Sequence, residues 1–192
     1  MHTPIHRFPR HALLVFALAG CVGNGGVARG QTPQEVGQVE AAYLRKIVEF
    51  VQWPAVSTDP GKAFRVCVMG RFLMSHPLAQ EFRAATVAGR KVEVVIVDSK
   101  QSVKACQVLF VNAVDTRQRS NILDSVKGSE VLTVGDDAGF LEAGGILQFS
   151  AEGNLLRFGI NLVAARNAGL KFDSRVLSLA HRVVTEKGTT GS

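Results

Sequence analysis

Phe64-Arg65-Val66-Cys67-Val68-Met69-Gly70 opens the stretch, residues 64–111, whose reading decides the fold. The segment is apolar and ends on glycine, as a strand does before a turn. Val92-Glu93-Val94-Val95-Ile96-Val97 follows and is β-branched almost throughout, which favours a strand. Gln107-Val108-Leu109-Phe110-Val111 is short and apolar enough to be buried on both faces. Between the first two lies Pro77–Ala85, with Leu78, Phe82 and Ala85 on one side of a helix, and Ser99–Ala105 reads as a connector or single turn. Strands alternating with helices predict an α/β fold with a mostly parallel sheet.

The pattern continues in both directions. Arg117–Lys127, with Ile122, Leu123 and Val126, predicts a helix, and Glu130–Gly135 a fourth strand. Gly145–Phe149 and Leu155–Ile160 flank the polar Ala151-Glu152-Gly153-Asn154, a hairpin signal. The expectation is a sheet of about six strands, with helices on both faces and a C-terminal antiparallel edge hairpin. In a flavodoxin-like order the first and third strands are neighbours, which brings Cys67 near Cys106. Asn161–Ala168 predicts a helix capped by Gly169. Asp173 or Ser174 then caps a last helix carrying Val176, Leu177, Leu179, Ala180 and Val183, and residues 187–192 are expected to fray. Upstream, Thr32, Pro33 and Glu35 form an N-cap and capping box. Val36, Val39, Ala42, Tyr43, Ile47 and Phe50 then predict one apolar stripe on a helix over 33–51. Trp53-Pro54 ends it, and Ser57-Thr58-Asp59-Pro60-Gly61 is a turn.

The first 30 residues read as a signal peptide. His6, Arg7 and Arg10 make a basic start, and the apolar stretch from His11 to Ala19 is far shorter than the ~20 residues of a spanning helix. Leu18-Ala19-Gly20-Cys21 matches a lipobox, with lipid on Cys21 and a Gly-rich tether over 22–30. The alternative is cleavage after Ala28-Arg29-Gly30, leaving Gln31 first. Both readings export a single domain spanning 31–186 to the periplasm, anchored to a membrane in the first reading. Beyond the leader, Cys67 and Cys106 are an even pair in an oxidising compartment and predict a disulfide, with two buried thiols as the alternative.

The 192-residue chain carries 22 Lys and Arg against 16 Asp and Glu, a net +6. Arg7, Arg10 and Arg29 lie in the leader, so the exported part has 19 against 16, only +3, with no basic run. A nucleic-acid partner is not expected. Only His76 and His181 remain of the five histidines, which argues against a His-rich metal site. Gly70 stands alone where a dinucleotide loop needs three glycines, and no Gly-x-Ser-x-Gly elbow exists. Asp136-Asp137, with Glu142, is the strongest acidic group for a divalent cation, and an acidic turn capping Asp137–Phe140 is the plainer reading. No catalytic residue, metal or cofactor is expected, so the domain reads as a binding or regulatory module.

Ala42-Tyr43-Leu44, Phe50-Val51-Gln52-Trp53-Pro54, Val66-Cys67-Val68-Met69-Gly70 and Cys106-Gln107-Val108-Leu109-Phe110 occur in an order that resembles the YfiR-like periplasmic proteins. Phe140, Gly144-Gly145-Ile146, Phe158, Asn161-Leu162, Ala165-Arg166 and Gly169-Leu170-Lys171 continue the likeness over about 40–184. The resemblance implies a mixed α/β fold, a homodimer and a repressor's role. The partner it implies is the periplasmic sensor domain of a membrane diguanylate cyclase, which makes cyclic di-GMP and so favours biofilm. An OmpA-like outer-membrane lipoprotein is implied as a second partner that relieves the block. Cys67 and Cys106 match the family cysteine pair, and a second family disulfide near the Gly-Gly strand has no counterpart, since no cysteine follows Cys106. The surface expected to meet a partner comprises Phe50, Trp53, Arg166, Leu170, Lys171 and Phe172. A small-molecule pocket lined by Trp53, Leu162, Leu170 and Phe172 is the competing expectation.

Overall fold

The structure is a computed structural model that describes residues 32–54, 61–70, 74–98, 103–113 and 115–191. The described residues belong to one compact unit, Gln31–Ser192, distinct from Met1–Gly30. The leader, Cys21 and most of the 57–61 turn lie outside the described residues.

Helix α1 spans Pro33–Ile47 and is followed by a single 3-10 turn, Val48–Phe50, and a two-residue strand β1, Val51–Gln52. Next come β2 Phe64–Gly70, α2 Ser75–Glu81, β3 Thr86–Val87 and β4 Arg90–Val97. A 3-10 turn at Val103–Ala105 leads to β5 Val108–Asn112, α3 Thr116–Ser125 and β6 Leu132–Gly135. The chain ends with β7 Leu147–Glu152, β8 Leu155–Asn161, α4 Leu162–Asn167, β9 Lys171–Phe172, α5 Ser174–Leu177, β10 Arg182–Thr185 and β11 Gly188–Gly191.

Nine strands form the main sheet in the order β11-β10-β8-β7-β6-β5-β2-β4-β3, and β1 pairs separately with β9. From β4 to β7 all neighbours are parallel. The six strands read from sequence occupy the centre, and β3, β10 and β11 extend it. The β7–β8 hairpin forms as expected but lies two strands inside the edge, because β10 pairs in parallel with β8 and β11 with β10. The C-terminal edge hairpin is β10–β11. This corrects two expectations. The last helix is a single turn, α5, with Val183 in a strand and His181 between the two elements. The tail is not frayed over Gly188–Gly191, which pairs antiparallel with Arg182–Thr185.

Period-two side chains on β2 and β5 feed two cores. Val66, Val68, Val108 and Phe110 face α1, α2, α4 and α5. Cys67, Met69, Leu109 and Val111 face α3 and the 103–105 turn. Cys67 and Cys106 are joined by a disulfide with Cα atoms 5.9 Å apart, both buried, which closes a 39-residue separation beneath the second core. Chain-entropy arithmetic gives such a loop about 4 kcal/mol.

Helix α1 begins as its sequence requires, with Thr32 and Glu35 forming a reciprocal capping box and Pro33 in the first turn. Its buried face differs from the expected stripe. Gly37, Glu40, Ala41, Leu44 and Ile47 point inward, whereas Val39 and Tyr43 are 39% and 42% exposed. The reason is close packing on α2: a Cβ at Gly37 would come within 3.2 Å of Met74 Sδ. The inward face therefore carries Glu40, whose carboxyl burial, aided by the nearby Asp136 charge, pushes up to about 8.

One aromatic ring fixes the turn between β6 and β7. Phe140 is fully buried between two glycines. A Cβ at Gly145 would fall 2.1 Å from its ring and one at Gly135 2.6 Å away. Gly145 thus serves ring packing as well as the backbone.

Gly145→Ala is expected to overpack Phe140 and lower the unfolding free energy by about 1–3 kcal/mol in urea titrations; an unchanged midpoint would contradict this packing. Glu40 favours the protonated folded state, so its contribution is complete below its ordinary value of 4.5 and is lost as pH rises towards about 8. The lowered carboxyls of Glu35, Glu142 and Asp173 act in the opposite, acidic direction. Glu40→Gln should therefore match the wild type near the low end of that window and exceed it in stability at the high end. Parallel pH slopes for the two proteins would refute this.

Candidate functional site

The sequence-expected surface residues come from two segments about 120 positions apart, and a short antiparallel pair joins them. β1 and β9 align Val51 with Phe172 and Gln52 with Lys171. The amide of Asp173 donates to the Phe50 carbonyl at 3.0 Å, extending the junction by one step. Pro54 rests on Gly169, where φ is +71° and a Cβ would meet Pro54 Cγ at 3.2 Å. A side chain there would be strained and crowded, so glycine serves both α4's end and this contact.

Phe50 is half-buried, and the Arg175 guanidinium lies 4.8 Å from its ring centroid. Arg175 is held in place by two 2.9 Å bonds to the Asp173 carboxylate. Those bonds, with the Arg175 backbone amide, lower the Asp173 carboxyl to about 2. Trp53 packs edge-on against Phe64, with centroids 5.0 Å apart. Its indole Nε1 is buried and meets no acceptor among the described residues.

Four of the expected residues, Phe50, Trp53, Lys171 and Phe172, are thus brought together. Leu162 is half-buried at the start of α4, whose first turn is capped by Asn161. Arg166 is exposed and bonds Glu186 at 2.9 Å. Leu170 and Phe172 are core residues, 1% and 9% exposed, and shape the surface from beneath. Trp53 and Leu162 pack against that same core, so these four side chains fill space where a pocket was expected. Asp173 caps α5, one of the two caps the sequence offers, but Arg175 and its pairing with Asp173 escaped the sequence reading. The available signal was an acid two residues before an arginine, directly after an aromatic strand end.

A second apolar area lies on α1's outward face. Val39 and Tyr43 are exposed there, Tyr43 meets Phe158 edge-on at 6.5 Å, and Leu155 on the hairpin is 57% exposed. The acidic group at the strand ends is dispersed. Asp136 accepts from Asn112 Nδ2 at 3.5 Å, Phe140 closes a turn on the Asp137 carbonyl, and Glu142 pairs with Arg182 at 2.5 Å. Among the described residues no three His, Cys, Asp or Glu side chains gather to hold a metal ion. His181 donates its backbone amide to Phe158, and His76 lies in α2's first turn.

The family model described as YfiR/HmsC-like matches residues 37–181. The chain belongs to the YfiR/HmsC-like family. Membership of this family suggests a regulator of cyclic di-GMP signalling. Among the described residues no helix is long and apolar enough to cross a membrane. A conserved domain protein from Vibrio cholerae O1 biovar El Tor is similar in fold, with a TM-score of 0.52 at 12% identity, covering 77% of this chain and 60% of that one. The ABC domain from Streptococcus pneumoniae in complex with L-Trp matches at a TM-score of 0.48 and 16% identity, covering 73% and 61%. The chain thus spans about three-fifths of each of these solved structures.

The burial contrast at the entry to β9, between Leu170 and Lys171, is directly testable by urea unfolding. Leu170→Ala should lose about 2–5 kcal/mol. Lys171→Ala, one residue away and exposed, should stay within about 0.5 kcal/mol of the wild type. Similar losses at both positions would show that the strand is not oriented as described.

Proposed function

We propose that this protein represses a membrane diguanylate cyclase by binding its periplasmic sensor domain, and so limits cyclic di-GMP and biofilm formation. The observation that carries this reading is the YfiR/HmsC-like match over residues 37–181, most of the described domain. The surface is consistent with a binding role. Half-buried Phe50 and Trp53 flank the β1–β9 pair that presents exposed Lys171, an aromatic centre with a cation at its edge. Interfaces favour this arrangement, in which aromatic residues carry much of the energy and charges set approach. An OmpA-like outer-membrane lipoprotein competing for the same protein, a homodimer, and a lipid on Cys21 belong to this proposal. A tether at Cys21 would restrict which membrane the domain can serve.

The test is capture of the purified protein by the periplasmic domain of a cyclase encoded beside it, together with cyclic di-GMP measured after gene deletion. Capture, and a rise in cyclic di-GMP on deletion, are expected. Lys171→Glu with Arg166→Glu should weaken capture by about tenfold or more, as the loss of charge-assisted contacts would. Unchanged cyclic di-GMP together with no capture would end the proposal. Repeating the capture after reduction of Cys67–Cys106 asks whether the single disulfide is needed for binding.

A further inference from the structure

Phe64, which packs against Trp53, leads on its other contact to a groove with different chemistry. It lies at the N-terminal ends of β2, β4 and β5 and encloses about 690 Å³. Lys62, Arg65, Arg90 and Lys104 line it, against the carboxylates Glu93 and Glu130. The disulfide residue Cys106 and its neighbour Gln107 form part of the wall.

The site is built around a buried arginine. Arg90 is 3% exposed. Its guanidinium donates to the Lys62 carbonyl at 2.7 Å, to the Ala63 carbonyl, and to Gln107 Oε1 at 3.3 Å. Its planar face lies 5.7 Å from the Phe64 centroid. Arg90 is therefore fixed before any ligand arrives. Gln107 Oε1 also accepts the Arg65 backbone amide at 2.8 Å, so one side chain braces both arginines.

Arg65 supplies the observation that points to a ligand. Its Nε is buried with no hydrogen-bond acceptor among the described residues, while the side chain as a whole is 36% exposed. The Glu93 carboxylate forms an ion pair with it at 3.6 Å, beyond hydrogen-bond reach. Charged donors buried without an acceptor are disfavoured, and folded proteins seldom leave them so. An oxyanion in the groove would meet the exposed end of this guanidinium, whose planar fork suits carboxylate and phosphate oxygens. Among the described residues, four cations against two carboxylates leave the lining at +2, the charge a dianion would neutralise.

We propose that this groove binds a small dianion of the phosphate or dicarboxylate class, with Arg65 and Lys104 as its principal contacts and Arg90 as its rigid floor. The proposal stands independently of the cyclase. It has a consequence for Trp53, however, because Phe64 lies between Arg90 and Trp53. Occupancy of the groove is thus two ring contacts from the sole tryptophan of the chain.

The experiment titrates the purified protein with inorganic phosphate and, separately, with succinate at low ionic strength. Backbone amide shifts of Arg65, Lys104 and Gln107 are followed by NMR, with Trp53 emission as a second readout. Saturable shifts confined to the groove are expected, weakened by added salt. Arg65→Gln should raise the dissociation constant about tenfold or more. Lys104→Gln, on an exposed turn, tests the same site should Arg65→Gln fold poorly. Arg157→Gln, on the β7–β8 hairpin, should change nothing. Saturation by phosphate alone assigns a phosphate-type ligand, by succinate alone a dicarboxylate, and by both a site selecting on charge and size. Linear, unsaturated shifts with both probes, or equal affinity in the wild type and both groove variants, would overturn the proposal.

Discussion

The parallel pairing of β2 with β5 is the constraint on which the rest of the domain depends. Val66 lies against Val108, Cys67 against Leu109, Val68 against Phe110 and Met69 against Val111. All eight side chains are buried, alternately on the two faces. A slip of one residue would exchange the two cores, so the register is tightly specified. The Cys67–Cys106 bond pins the same pair at its lower end, and α1 and α3 can then approach from opposite sides. Every later strand is placed by extension from this pair, first β6 and β7, then the reversed β8 and β10.

Strands were the readable part of this sequence, because β-branched and apolar runs bounded by glycine leave few alternatives. Two features misled. The first was α1, where Val36, Val39, Ala42 and Tyr43 look like the inward stripe although Gly37, Glu40 and Ala41 face the core. Hydrophobicity ranks Gly and Glu poorly as core residues, yet close packing on Met74 favours the smallest side chain, and a neutralised carboxyl tolerates burial. The second was the C-terminus. Val176, Leu177, Leu179, Ala180 and Val183 have helical spacing, but Leu179 is 74% exposed and Arg182-Val183-Val184-Thr185 is claimed by the open edge of β8. Tertiary pairing overrode a local pattern there.

The candidate surface was half legible for a related reason. Aromatic residues beside a proline announce themselves, so Phe50 and Trp53 stood out. That they meet Lys171 and Phe172 is a non-local fact, created by a two-residue strand pair with almost no local signal. Nor could a pattern reveal which of Leu170, Lys171 and Phe172 face outward, since that depends on what the pair rests upon. Burial answers it: the leucine and phenylalanine anchor the junction, and the lysine and Arg166 remain at the surface. The aromatic surface is stiffened from below by Phe64.

The Phe140 ring held between Gly135 and Gly145 bears on how this sequence can drift over generations. Neither glycine can gain a side chain while the ring is present, and loss of the ring alone would open a void between two backbones. Single changes at these three positions are therefore costly in either direction, while a joint change can be neutral. The three sites behave as one inherited unit, and diverged homologues that replace Phe140 with a smaller residue should carry side chains where this chain has glycine.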